Sequence, residues 1–114
     1  MDVKPSTIQV LGLRTRVLVS QPGTSSDHAG GSKLPSETPV VLIHGVGGWA
    51  ENWREVMAPI AESGRTAIAV DLPGFGESEA PGRVRHFDPK DPYYARFVIG
   101  LLDGLGLGSA HVVG

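Results

Sequence analysis

The chain has 114 residues, a hydrophobic fraction of 40%, a charged fraction of 19% and a net charge of −2. This composition suits one small folded domain, excludes a disordered chain, and offers no basic surplus for nucleic acid. Cysteine is absent, which rules out a disulfide framework and thiol chemistry. Met1-Asp2-Val3-Lys4-Pro5 lacks the apolar core of a secretory signal, and no apolar run approaches the ~18 residues of a membrane span. The expectation is a cytoplasmic protein with no membrane partner.

Residues 1–19 read as the strands of an N-terminal hairpin. Alternation is clear in Arg14-Thr15-Arg16-Val17-Leu18-Val19, and Gly12 marks the turn of an antiparallel pair spanning 7–19. Residues 20–39 hold Pro22, Pro35, Pro39, Gly23, Gly30, Gly31 and five serines, the composition of a flexible loop or an insertion. Val40-Val41-Leu42-Ile43 is a short apolar run, as in a strand buried on both faces. Trp53, Val56, Met57, Ile60 and Ala61 then form one helical stripe. Pro59 should kink that helix, and Gly64 should cap it.

Thr66–Val70 is the next predicted strand, followed by the loop Asp71-Leu72-Pro73-Gly74-Phe75-Gly76. Residues 80–90 are polar and irregular. Asp91-Pro92 suits a helix start, with a capping carboxylate and proline at the first helical position. Tyr94, Phe97, Val98, Leu101, Leu102 and Leu105 continue it as a second stripe, weakened at Gly100 and Gly104 by about 1 kcal/mol each. Gly106 ends it, and Ala110–Val113 is expected as a third buried strand, with His111 a hydrogen-bonded core residue. The alternation predicts an α/β fold: an antiparallel hairpin followed by parallel strands with crossover helices.

In open parallel sheets, function collects at the carboxyl ends of the strands. Here those ends are His44–Gly48, Asp71–Ser78 and Gly114. One reading of His44-Gly45-Val46-Gly47-Gly48 is a turn that aims backbone N–H groups at an oxyanion, with donors worth roughly 3–4 kcal/mol in the transition state. A second is a dinucleotide fingerprint, since Gly45-Val46-Gly47-Gly48-Trp49-Ala50 fits Gly-x-Gly-x-x-Gly/Ala and Asp71 lies downstream at a suitable spacing. The preceding hairpin, the bulk of Trp49 and Trp53, and the Pro-Gly turn after Asp71 weigh against the second. A third is a glycine turn that only connects elements.

The other polar residues read mainly as structural. His44 is either a base or, preferably, a ring that ties the loop down. Asp71 is either an acid or, preferably, a loop-bracing carboxylate. Ser78 resembles a helix N-cap rather than a nucleophile, because it lacks flanking elbow glycines. Trp49 lines a substrate pocket or simply packs; Trp53 belongs to the helical stripe. His28 and His86 look incidental, and no cluster has metal-ligand spacing.

Segment 40–114 resembles the first half of the α/β-hydrolase fold. The resemblance is carried by His44-Gly45-Val46-Gly47, Trp53, Asp71-Leu72-Pro73-Gly74-Phe75-Gly76-Glu77-Ser78, and Leu105-Gly106-Leu107 leading to His111-Val112-Val113-Gly114. It implies that the hairpin supplies the first two strands and that this is an incomplete hydrolase sheet. It also implies that Val46 and Gly47 are the backbone oxyanion donors, with Gly45 and Trp49 contacting substrate. Nucleophile, acid and base are then expected beyond Gly114, with a serine on a Gly-x-Ser-x-Gly elbow.

The resemblance further implies a small acyl substrate, such as an ester or thioester, and neither cofactor nor metal. Aspartate-nucleophile dehalogenases and epoxide hydrolases, carbon–carbon hydrolases, haloperoxidases, acyltransferases and non-catalytic binding members share the fold. The first two groups usually carry a proline where Gly47-Gly48 stand here. By itself the 114-residue chain is expected to be an inactive fragment that self-associates through an unpaired sheet edge.

Overall fold

The structure, a computed structural model, describes residues 2–22, 38–80 and 92–114. Most of the 20–39 loop and all of the 80–90 segment except Ala80, with His28, His86 and Asp91, lie outside the described residues. In chain order the elements are β1 (Lys4–Val10), β2 (Leu13–Ser20), β3 (Val40–Ile43), a short 3-10 helix (Ala50–Trp53), α1 (Arg54–Glu62), β4 (Ala67–Val70), α2 (Tyr93–Gly104) and β5 (His111–Val113). They build one sheet in the order β1-β2-β4-β3-β5. β1 and β2 form the expected antiparallel hairpin, which starts earlier than predicted, at Lys4 opposite Val19. Leu11 and Gly12 turn it with φ of 50° and 79°, the two positive values of a type I′ connection. β2 runs antiparallel to β4, whereas β3 is parallel to both β4 and β5.

Alternation along each central strand divides the core between the two faces of the sheet. Val17, Val41, Ile68 and Val70 pack with Phe97 and Leu101 of α2. On the other face Leu18, Leu42, Ala67 and Ala69 pack with Ala50 and with Met57 of α1. The helices thus cover opposite faces, which is why β3 and β4 read as continuous apolar runs. Gly100 lets α2 approach the hairpin closely: a Cβ there would meet Val10 and Leu11 at 3.3 Å.

Several expectations change at the edges of the elements. The helical stripes are narrower than their periodicity suggested, since Val56 and Tyr94 are exposed. α1 runs through Pro59 to Glu62 as one helix. It ends on Ser63, and the following Gly64 N–H donates to the Ala61 carbonyl at 3.0 Å. Pro92 caps α2 rather than opening it. β5 is not a buried strand: all three of its residues are exposed, His111 included. Only β3 flanks it among the described residues. His111 is therefore not a core residue; its backbone N–H donates to the Pro39 carbonyl at 2.8 Å.

Candidate active site at the carboxyl ends of the strands

The segment after β3 folds into a tight turn in which Gly48 N–H donates to the Gly45 carbonyl at 2.9 Å. Val46 and Gly47 occupy its two central positions. Gly47 has φ of 85° while Val46 keeps a negative φ, the signature of a type II turn. The Val46 side chain is 99% exposed. Neither the Val46 nor the Gly47 N–H has a hydrogen-bond partner among the described residues. Two adjacent backbone donors therefore stand open at the end of a buried strand. Behind the turn, Trp49 N–H donates to Asn52 Oδ1 at 2.9 Å, and a Cβ on Gly48 would collide with that same oxygen.

His44 joins this turn to the loop after β4. Its Nε2 accepts the Leu72 N–H at 3.0 Å, so the ring proton resides on Nδ1, which lies 2.8 Å from the Gly45 carbonyl. Phe75 meets the ring edge-on at 5.2 Å between centroids. With both nitrogens committed to backbone groups and the residue 5% exposed, His44 is not placed to act as a base.

Asp71 is fully buried and ties the same two loops together. Its Oδ1 accepts the Ala50 N–H at 2.7 Å, and its Oδ2 accepts the Glu77 N–H at 2.8 Å. Gly76, with φ of 55°, leaves the space the carboxylate fills; a Cβ there would run into Asp71. Ser78 is not a helix cap here. Its hydroxyl donates to the Asp71 carbonyl at 2.7 Å and accepts the Arg16 N–H at 2.8 Å, stitching β2 to the loop.

Sequence reasoning missed Arg16. This β2 residue reaches Glu51 at 2.9 Å, Asp71 at 3.5 Å and Glu77 at 3.8 Å, and its guanidinium lies 5.7 Å from the Trp49 ring centroid. Its side chain is only 13% exposed. Burial acts to lower its pKa, but the Glu51 hydrogen bond and the Asp71 and Glu77 charges outweigh that and hold it above its ordinary value. Glu51 is lowered to about 2, first by its hydrogen bond to Arg54 and then by that to Arg16. The available signal was a charge on the same strand face as buried Leu18, since a charge so placed needs partners. Those partners lie 35 to 61 positions away, beyond the reach of local pattern.

Trp49, expected at the substrate, is 39% exposed beside the turn, with Arg16 over its ring. Trp53 packs on the α1-side core. The dinucleotide reading fails at Asp71, which is buried and occupied by backbone donors and so cannot bind a ribose. Among the described residues no group of three or more His, Asp or Glu could hold a metal, and no helix is long and apolar enough to cross a membrane.

The sequence profile of the alpha/beta hydrolase fold family matches residues 38–114. A 2-hydroxy-6-oxononadienedioate/2-hydroxy-6-oxononatrienedioate hydrolase of Burkholderia vietnamiensis is 40% identical over 79 residues, covering 66% of this chain and 26% of that protein. An epoxide hydrolase of Caballeronia sordidicola is 39% identical over 75 residues, covering 66% of this chain and 22% of that one. Among solved structures, an epoxide hydrolase from Vigna radiata superposes with a TM-score of 0.72 at 25% identity, over 96% of this chain and 30% of the other. The chain thus spans about a quarter of the length of the relatives it matches.

Proposed function

Because the chain belongs to the α/β-hydrolase fold family, we propose that it supplies the oxyanion turn of a serine hydrolase acting on a small acyl compound. Val46 N–H, with Gly47 N–H as the second candidate, faces the oxygen of the attacked carbonyl. A serine two positions beyond Gly114, on a strand-to-helix elbow, is the nucleophile, and the triad acid and histidine follow it. The observation that carries this reading is the pair of open N–H groups on a turn locked from behind by His44 and Asp71. Preorganised donors of this kind stabilise the tetrahedral oxyanion without reorganising during reaction.

A second reading is favoured by the Burkholderia relative: hydrolysis of a carbon–carbon bond next to a ketone of an oxo acid. It asks the same of the turn, because a carbonyl oxygen again gains charge. An aspartate nucleophile is disfavoured by Gly47-Gly48, which stand where the dehalogenase and epoxide groups carry proline. The test is to read the gene through the codons following Gly114 and to assay its full product on p-nitrophenyl butyrate and an oxo-dienoate. Serine at the elbow with turnover of either substrate supports the reading. Aspartate there moves the chemistry to alkyl halides or epoxides, and a residue other than Ser, Asp or Cys sinks the proposal.

A further inference from the structure

We infer that Arg16 is the positioning residue of the oxyanion turn, an inference that rests on the function proposed above. The two open donors, Val46 and Gly47, sit on an exposed turn. Their direction is set by anchors on either side. Upstream, His44 holds the turn to Leu72. Downstream, three successive residues are anchored. The Trp49 ring lies against the Arg16 guanidinium, Ala50 N–H is held by Asp71, and Glu51 is held by Arg16. Asp71 itself faces Arg16. One guanidinium projecting from β2 therefore serves these three anchors, beside the Trp49 N–H bond to Asn52.

Only arginine suits this place. Its planar fork bonds Glu51 through Nη2 while Nη1 faces Asp71, and its central carbon lies 5.7 Å from the Trp49 ring centroid. A lysine ammonium is a point charge without fork or plane. The Arg16 side chain is largely shielded from water, so its contacts to Glu51 and Asp71 are screened less than those of a surface pair. Loosening the downstream anchors lets the turn rotate away from the oxyanion. Charge on that oxygen develops only in the transition state, so the loss falls on kcat and spares KM.

The test uses the full-length protein and the variants Arg16→Met, Arg16→Lys and Glu51→Gln. With p-nitrophenyl butyrate, Arg16→Met is expected to lower kcat about tenfold to hundredfold. KM should stay within about twofold. Arg16→Lys should fail to restore the rate. Glu51→Gln, a milder change at a partly exposed side chain, should lower kcat in the same direction and add little to Arg16→Met. It keeps the inference testable if the Arg16 variants do not fold.

A second readout needs no substrate. In the full-length protein labelled with 5-fluorotryptophan, the Trp49 resonance is the one lost in Trp49→Phe, and Arg16→Met should move that resonance and raise its solvent-isotope shift. A wild-type protein that turns over no acyl substrate defeats the proposed function, and the Trp49 signal then decides the placement of Arg16. An active protein whose folded Arg16→Met variant keeps full kcat, or an unchanged Trp49 signal, overturns the role of Arg16.

Discussion

Asp71 Oδ1 accepts the Ala50 N–H at 2.7 Å, joining the end of β4 to the first helical residue after the Gly45–Gly48 turn. The bond is buried and spans 21 positions of sequence. It places a negative charge inside the fold, where charge needs both a counter-ion and hydrogen bonds. Arg16 supplies the first, and the Ala50 and Glu77 N–H groups supply the second. Asp71→Asn should therefore cost about 3 kcal/mol, because the guanidinium loses its most buried partner and an amide NH2 group faces a backbone donor. Urea unfolding of the variant beside the wild type measures this; a difference near zero would remove Asp71 from the account.

Gly76 and Gly45 make a matched pair of substitutions. Alanine at Gly76 meets the Asp71 carboxylate and is held at φ of 55°. The left-handed conformation alone costs about 1–2 kcal/mol, and displacing the carboxylate adds to it. Alanine at Gly45 meets nothing within 4 Å, and the cost should stay within about 0.5 kcal/mol. Midpoints of chemical unfolding for the two variants should fall in that order, and a reversed order would contradict the packing described around Asp71.

The Arg16–Glu51–Arg54 contacts make a pH-dependent contribution whose sign follows from Glu51. Its pKa is lowered from 4.5 to about 2 on folding, first by Arg54 and then by Arg16. Between those values the unfolded chain binds a proton that the folded chain does not. Stability therefore rises with pH across this window. The contribution is complete above pH 4.5 and is lost as pH falls toward 2. The stability gap between wild type and Glu51→Gln should be widest at pH 6 and narrow by pH 3. A gap that widens on acidification would show that Glu51 is not held as its ionised form.

The exposed edge strand has its own consequence. β5 pairs with β3 on one side, and Val112 and Val113 are 52% and 43% exposed. An open apolar edge recruits other strands. The 114-residue chain should self-associate in sedimentation experiments, and Val112→Lys should reduce that association. A monodisperse monomer with a cooperative unfolding transition would contradict this.

What was legible in the sequence was local. β3 was read with its observed limits, β4 to within one residue, and the alternating faces of β2 followed from period-two patterning. The turn at His44–Gly48 was legible because glycine and strand ends carry strong signals. The burial of β5 was misread because Val112-Val113 looks the same at an edge as in a sheet centre; what covers a strand is not written in the strand. Arg16 was missed for a related reason. Its role exists only once β2, the 3-10 helix and the loop after β4 converge, and each partner is distant in sequence. Ser78 looked like a cap because serine before a polar stretch often is one; its partners on β2 and Asp71 come from tertiary structure.

The central claim is that the Val46 backbone N–H binds an oxyanion, and Val46→Pro in the full-length protein tests it most directly. Proline is favoured at this position of a type II turn, so the substitution removes the donor while leaving the turn intact. The expected result is a kcat for p-nitrophenyl butyrate lower by about 10²–10³-fold, with KM and the unfolding midpoint little changed. A folded Val46→Pro enzyme that retains wild-type kcat would contradict the account.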